Sequence, residues 1–399
     1  MNSRHLRALC AVIACSLLFA VNTLAVSIMP NMAEDTTVSL VTFYPGSDIY
    51  ELEGHSALRL RTPMSDVAVS YGMFDFDAPN FVYRFVKGET DYSVGIIPWP
   101  AMEAAYRMQG RRLVERQIDM TPEQKQRLFS IVQRNLLPEN RTYRYNYVLD
   151  NCATRPLAAV QEALGDSIIL AEPDSDIAEL TTWRRLMQHY HRNYPWYQFG
   201  IDIALGSGID RPVSNREKAF APVVLDMQIE DATAGGRPVV DFSTVLCDTA
   251  PDAAVLAPTP WYATPMAVCW TFFAITLTVS IFSWWKRRRM RGFDTFFFSV
   301  EFLASLLVWF LVFVSEHEAT SPNYLALWLN PSLGAIAVCV WIKRAEKLVM
   351  WLKIANFALL TASLALCLVL GQHINAAMWP LAACQALRCL PLPRAARTK

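Results

Sequence analysis

Beyond about residue 262 the chain becomes a succession of long apolar runs, and this constrains its fold more than any other feature. The runs cover 263–285, 294–314, 325–342, 348–370 and 376–392. A bilayer asks for about 20 apolar residues per helix. Most of the runs are near that length, and the third and fifth are short. Hydrocarbon cannot satisfy a free backbone N–H or C=O, so such runs fold as helices. Basic residues then set their direction. Lys286, Arg287, Arg288, Arg289 and Arg291 follow the first run, Lys343, Arg344 and Lys347 the third, and Arg394, Arg397 and Lys399 the fifth. The connections 316–323 and 371–375 hold no Lys or Arg. About five spans therefore alternate with the basic loops inside, which leaves the preceding region outside the inner (cytoplasmic) membrane.

The N-terminus agrees. Arg4 and Arg7 precede an apolar stretch over 9–20, and residues 1–30 read as a secretory signal peptide with cleavage near Ala25, or as an uncleaved anchor helix. The organisation that follows is an exported domain over 36–245, a Pro- and Ala-rich linker over 246–262, a helical bundle over 263–392 and a cytoplasmic tail over 393–399. With a formal net charge of zero and 18% charged residues, the chain lacks the field of a nucleic-acid binder. Two charges fall within the spans, Glu301 and Lys353, at similar depths. They are expected to form an ion pair; the alternative is that Lys353 snorkels alone while Glu301 faces a polar cavity.

The exported region reads as α+β. Strands are expected at 38–43, 56–61, 67–71, 92–97 and 112–118, the second alternating Leu58 and Leu60 with Arg59 and Arg61. Thr121-Pro-Glu-Gln124 is a capping-box helix start, with the helix running to about Leu137. Further helices are expected at 153–164, 177–190 and 215–227, the last kinked at Pro222. Phe74, Phe76, Phe81, Tyr83 and Phe85 have mostly even spacing, which suits a strand buried on one face; the alternative is a lipid groove.

Nine cysteines are present, but only Cys152 and Cys247 belong to the exported region. In an oxidising compartment these two are candidates for a disulfide, although Cys247 falls in the linker. No C-x-x-C and no cluster with zinc-ligand spacing occurs, so no metal or cofactor is expected. Cys152 is the more informative. In Asn146-Tyr-Val-Leu-Asp-Asn-Cys-Ala-Thr-Arg-Pro156 it follows two residues that cap helices well, Asp150 and Asn151, and precedes a helical stretch stopped by Gly165. At a helix start, free N–H groups and the helix dipole favour a thiolate, which is a nucleophile.

Such a nucleophile needs a base. His189 and His191 lie at a helix end, where a histidine usually caps or faces water. His55, in Glu53-Gly-His-Ser56, opens a predicted strand, and Gly54 before it permits close backbone approach. A strand histidine followed by a helix-start cysteine is a papain-like pair in permuted order. It resembles the circularly permuted NlpC-like and lecithin:retinol acyltransferase group, whose members attack ester or amide carbonyls.

A closer resemblance spans nearly the whole chain. Tyr44-Pro-Gly-Ser-Asp48, Gly54-His-Ser-Ala-Leu-Arg59, Tyr71-Gly-Met-Phe-Asp-Phe-Asp-Ala-Pro-Asn-Phe81, Pro138-Glu-Asn-Arg-Thr-Tyr-Arg-Tyr-Asn146 and Asp150-Asn-Cys-Ala-Thr-Arg-Pro156 resemble the periplasmic domain of the Lnb-type bacterial lipoprotein N-acyltransferases. So do Arg211-Pro212, Ser315-Glu-His-Glu-Ala-Thr320 and Leu327-Trp-Leu-Asn-Pro331. The resemblance implies a permuted papain-like periplasmic domain ahead of an all-α transmembrane bundle. It implies transfer of an acyl chain from a membrane lipid, through a Cys–His pair, to the α-amine of a diacylglyceryl-cysteine lipoprotein. On this chain the pair is Cys152 and His55.

The remaining candidates have open roles. Asp75 or Tyr71 would orient His55, or be structural. Asn151 and Asp150 would cap, with Asn151 also able to touch an oxyanion. Arg155 would bind a lipid phosphate or solvate its helix. The loop with His317 would line the acyl-chain path, dock on the catalytic domain, or only hold two spans in register. Two other classes use the same sequence: a membrane-anchored thiol hydrolase acting on peptidoglycan peptides or phospholipid esters, and a non-catalytic lipid-binding protein.

Overall fold

The computed structural model describes residues 35–75, 77–249 and 258–391. The proposed signal or anchor segment, Phe76 of the aromatic stretch, residues 250–257 of the linker and the tail lie outside them. The chain divides into two compact units that interleave in sequence. One is drawn from residues up to Phe81 with 90–180 and 213–249; the other from 82–89, 181–212 and the C-terminal region.

The first unit is built on a seven-stranded antiparallel sheet. Its strands are β1 (Thr37–Phe43), β2 (His55–Arg61), β3 (Asp66–Met73), β4 (Asp91–Pro98), β5 (Leu113–Ile118), β6 (Thr142–Arg144) and β10 (Val240–Cys247), in the order β10-β5-β1-β2-β3-β4-β6. A small second sheet joins β7 (Ile168–Ile169), β8 (Thr233–Ala234) and β9 (Arg237–Pro238). β2 and β3 form the expected hairpin across Thr62–Ser65.

Both faces of the main sheet are covered. On one, Leu40, Leu58, Leu60 and Val69 pack with Leu128 and Val132 of α3 (Pro122–Leu136) and Leu157 and Val160 of α4 (Thr154–Leu164). On the other, Val41, Phe43, Ala57 and Ala68 pack with Trp99 and Met102 of α2 (Trp99–Met108). The alternation of leucine and arginine in β2 suggests one wet face. Arg59 is instead buried, held by Asp66 and Glu115 (3.0 Å) and lying 4.2 Å over the Trp99 ring. Ion pairing and stacking replace the lost water, so the strand is buried on both faces.

Several local expectations hold. Thr121 and Gln124 complete the capping box of α3, and α4 ends at Gly165. Others do not. The 177–190 stretch divides into α5 (Ser175–Ala178) and α6 (Trp183–Tyr190). Thr182 is extended, bridges to Pro212 and caps α6 through its hydroxyl. The 215–227 stretch divides into α8 (Asn215–Lys218) and α9 (Pro222–Glu230), because Pro222 starts a new helix rather than bending an old one. Cys247 is the last residue of β10, not part of a linker, and both it and Cys152 are free thiols.

The aromatic stretch is not a strand. It is a turn followed by α1 (Phe81–Lys87), whose Val82, Tyr83 and Phe85 are exposed. The even spacing of its aromatics came from a turn running into a single-sided short helix, not from pleating.

In the second unit three helices are long and apolar enough to cross a membrane: α10 (Pro265–Lys286), α11 (Arg291–Phe313) and the segment Lys343–Leu370, which contains α14 (Glu346–Leu370). The third apolar run is broken into α12 (Leu325–Trp328) and α13 (Ser332–Cys339), and the fifth forms the shorter α15 (Met378–Cys389). The break falls at Asn330-Pro331. There Asn330 bonds the carbonyls of Leu327 and Trp328 and the side chains of Asn356 and Ser332. Those bonds serve the backbone that the break frees, as a membrane interior requires. α7 (Pro195–Ala204) also belongs to this unit; its Phe199 and Ile203 pack on the cluster around Val308 and Leu360.

Lys353 does not pair with Glu301. Its ammonium lies 3.0 Å from Asp294, which also takes Arg388 at 2.8 and 2.5 Å. Asp294 is the first residue of the second apolar run, and Arg388 lies within the fifth. Two cations share one carboxylate, while Glu301 is buried with one carboxyl oxygen unpartnered.

Candidate active site

The site is assembled where β2 begins and α4 begins. Gly54, with φ +85°, turns the chain into β2; a Cβ there would lie 2.5 Å from the Phe43 carbonyl, so only glycine allows this approach. His55 follows, opposite Phe43 in the register with β1. Ser56, the next residue, reaches Cys152 twice. Its hydroxyl donates to the Cys152 carbonyl at 2.9 Å, and its backbone N–H bonds the sulfur. The first residues of β2 are thus tied directly to the residue that sequence reasoning marked as the nucleophile.

Cys152 sits just ahead of α4. Asn151 builds the helix start: its Oδ1 accepts from the N–H of Ala153 (2.8 Å) and Thr154 (3.0 Å), and its Nδ2 donates to the carbonyls of Tyr147 and Phe220. Every group of this amide is occupied, so it is a cap and not a free oxyanion donor. It also removes the N–H groups of Ala153 and Thr154 from that role. The donors left at the sulfur are the N–H of Ser56, the N–H of Cys152 itself and the Tyr145 hydroxyl. Tyr145 stacks on Tyr92, ring centroids 4.1 Å apart. Beneath both runs Gly72, at φ +82°. A Cβ there would approach Tyr145 to 3.2 Å and the Cys152 Cβ to 3.5 Å, which explains a glycine inside β3.

His55 is oriented by Ser70, its Nε2 hydrogen-bonded to the Ser70 hydroxyl at 2.9 Å. Neither residue expected in that role fills it. Asp75 is exposed and closes an Asx turn by accepting from the Asp77 N–H. Tyr71 is fully buried in the main core, where its hydroxyl accepts from Asn135 at 3.0 Å. Arg155 is neutralised by a bidentate bond to Asp150 (2.5 and 2.7 Å) and lies 3.2 Å over the Tyr143 ring. Asp150 is therefore a partner of Arg155, and its side chain is not the cap. His317 belongs to the other unit, where its Nε2 is 2.7 Å from the Phe85 carbonyl. Beside it the Ser315 hydroxyl bonds Val86 O and the Glu316 N–H bonds Lys87 O. The loop docks on α1.

Electrostatics reverse one expectation. Burial pushes the Cys152 thiol up to about 11, against the hydrogen bonds from Ser56, Tyr145 and its own N–H that favour the thiolate, and the Glu53 charge adds to the rise. Burial pushes His55 down to about 3, and the nearby Arg111 guanidinium acts in the same direction. The helix start does not yield a resting thiolate, because desolvation outweighs it. At neutral pH the resting groups are a thiol and a neutral imidazole. Both residues keep some contact with solvent, so a reactant can reach them. Among the described residues no group of His, Cys, Asp and Glu could hold a metal ion.

Sequence reasoning missed Ser70, Ser56, Tyr145 and Gly72 as parts of this corner. Ser70 was recoverable from the hairpin, since it pairs with Ala57 and so shares the face of His55. Tyr145 had no local signal.

Fold and site together define a membrane protein whose α+β domain carries a partly buried cysteine and histidine at one corner of an antiparallel sheet. The chain belongs to the Lnb-type family: it matches the Lnb N-terminal periplasmic domain over residues 30–189 and the Lnb transmembrane domain over residues 258–396. The α+β domain is accordingly periplasmic. No curated protein and no solved structure is significantly similar to it.

Proposed function

We propose that this protein is a lipoprotein N-acyltransferase of the inner membrane, crossing it several times, and that it works through a Cys152 thioester. The observation that carries the reading is the corner at which Ser56, adjoining His55, and Tyr145 both bond the Cys152 sulfur. Two half-reactions follow. With Nε2 carrying its proton toward Ser70, His55 has Nδ1 as its base. As the sulfur attacks the ester carbonyl of a membrane lipid, the thiol proton passes to that nitrogen. The tetrahedral oxyanion is held by the Cys152 N–H and the Tyr145 hydroxyl. Collapse expels the lysolipid alkoxide, which takes the proton back from His55, and leaves an acyl thioester on Cys152.

In the second half-reaction the α-amine of a diacylglyceryl cysteine attacks the thioester. His55 accepts the amine proton and returns it to the departing thiolate, which restores the Cys152 thiol. Neutral resting groups suit this order, because the charge pair forms only as the reaction proceeds. A membrane domain suits it as well, since donor and acceptor are both lipids. Ser70 is a positioning residue, acting through His55.

Mass spectrometry of lipoprotein N-termini tests the reading in cells carrying wild type, Cys152→Ser or His55→Ala. Loss of the N-linked chain in both variants, at equal protein level, is expected. A fully N-acylated lipoprotein in either variant contradicts the role given to that residue.

A further inference from the structure

The Cys152 sulfur stands at the inner end of a row of aromatic rings, of which the mechanism has used only the first. Tyr145, whose hydroxyl bonds the sulfur, stacks on Tyr92 at 4.1 Å. Tyr92 meets Phe74 at 5.0 Å. Phe74 in turn stacks with Phe81 at 5.7 Å and meets Tyr50 edge-on at 6.3 Å. All five rings belong to the compact unit that carries Cys152. Burial, and then the nearby Cys152 charge, push the Tyr92 phenol up to about 12, so the second ring also lies within electrostatic reach of the sulfur.

From Tyr92 outward the row climbs to the surface. Tyr92 is 7% exposed, Phe74 is half-buried, and Tyr50 is 54% exposed with the apolar side chain of Ile49 exposed beside it. Aromatics that only filled a core would be covered to the end of the row. The outer end is also fixed. The Tyr50 hydroxyl donates to Asp48 at 2.8 Å, and Arg111 clamps the loop by bonding the Tyr44 carbonyl and Glu51, each at 2.7 Å. The row is thus built before a ligand arrives, which lowers the cost of binding one.

A chain bonded to the sulfur has one apolar way out. On the β2–β3 side stand His55, Ser56 and Ser70, and on the helix side Asn151 and Thr154. A second aromatic pair, Phe43 and Tyr106, stacks at 4.0 Å near His55, but Phe43 is fully buried in the core with Trp99. Only the row from Tyr92 to Tyr50 is at once apolar, continuous with the sulfur and open at its far end.

We propose that Tyr92, Phe74, Phe81 and Tyr50 form the wall along which a fatty acyl chain lies while Cys152 carries it. The inference rests on the acyltransferase reading above and names the seat of the chain within it. The covalent bond to the sulfur places the occupant at the inner end, and the apolar character of the rings selects a hydrocarbon.

The test first alkylates Cys152 of the full-length Cys247→Ser protein, in detergent micelles, with an iodoacetamide bearing a decyl chain that ends in a diazirine. Illumination is expected to join that chain to Tyr50, Phe74 or Phe81 several-fold more than to Tyr147 and Leu149, which are exposed in the turn just before the cysteine. The second arm measures nitrophenol release from 4-nitrophenyl hexadecanoate and butanoate in the same micelles. Phe74→Ala should lower the ratio of kcat/KM for the long ester over the short one about tenfold, and Tyr50→Ala, at an exposed position that folding tolerates, about threefold. Phe74→Leu should lower it less than Phe74→Ala. Crosslinks centred on Tyr147 and Leu149, or a ratio unchanged in Tyr50→Ala and in folded Phe74→Ala, overturn the wall. An acyl thioester still formed on Cys152 in those proteins would then show that the acyltransferase reading survives without it. A Cys152 that neither the iodoacetamide nor the esters modify removes both.

Discussion

Two buried polar clusters in this molecule are handled in opposite ways. At the start of α4, Cys152 and His55 are kept neutral: burial pushes one up to about 11 and the other down to about 3. Inside the membrane unit, Lys353 and Arg388 both form ion pairs with Asp294, at 3.0 and 2.5 Å from its carboxylate, with Ser280 on the guanidinium. A charge that persists must be paired when buried. A group that is to become charged during a reaction is better left unpaired, with dipoles such as Ser56 N–H and Tyr145 OH already in place. The first cluster has the character of chemistry, the second of architecture.

The comparison breaks most readily at Asp294. Asp294→Asn leaves Lys353 and Arg388 without a counter-charge and should destabilise the bundle by about 3–5 kcal/mol, the range for a broken buried pair. Thermal unfolding in detergent reads this. A shift of only a degree or two would mean that the cations reach solvent. Glu301→Gln, at the carboxyl once expected to pair with Lys353, serves as the control and should shift unfolding by much less.

Gly72→Ala tests the chemical cluster. An alanine side chain meets Tyr145 and Cys152 at a φ that alanine resists, so acyl transfer should fall about 100-fold, the cost of a displaced reacting group. Unfolding should move by only about 1–3 kcal/mol. Unchanged transfer would mean that the sulfur is not held by this contact.

Ser70→Ala should lower kcat about tenfold and leave KM within about twofold, because the hydroxyl orients His55 and does not touch a substrate. Ser70→Thr should restore part of the loss. A purely structural serine would affect stability and leave the Thr variant no better than Ala.

The smallest effects are in pH. The folded value of His55 lies below its unfolded one, so the unfolded chain binds more protons between about 3 and 6.5, and stability falls as pH is lowered through that window. Cys152 lies above its ordinary value of 9.0, so the unfolded chain loses its proton first, and stability falls as pH rises from about 9 toward 11. In kcat/KM, the ordinary histidine limb near 6.5 should be missing and the profile flat from about pH 5 to 8. An acid limb at 6.5 that disappears in His55→Gln would show that the imidazole is solvated as usual.

Much of this was legible in the sequence, for reasons that can be located. Three of the apolar runs, the capping box at Thr121 and a helix beginning just after Asn151-Cys152 are local patterns that survived folding. The close backbone approach at Gly54 was legible because a glycine stands directly before the histidine that opens a strand. What failed was non-local or two-sided. Ser70 comes to His55 only through the β2–β3 register, and Tyr145 comes to Cys152 only through tertiary packing. Asp75 looked suitable because it follows the right strand, but its turn faces solvent. The resting thiolate failed because helix-start electrostatics is local whereas desolvation is set by the whole corner. In the membrane unit, Glu301 was matched to Lys353 by depth alone; helix rotation decides partners, and it favours Asp294.

The central claim is tested most directly by looking for the covalent intermediate. The full-length protein is incubated with phosphatidylethanolamine vesicles in the absence of a lipoprotein acceptor, then analysed by intact and peptide mass spectrometry. The account predicts one hydroxylamine-labile acyl adduct on Cys152, absent from Cys152→Ser and discharged when a diacylglyceryl-cysteine peptide is added. Acyl transfer to that peptide by Cys152→Ser, or an acyl group stably carried on another residue, would contradict it.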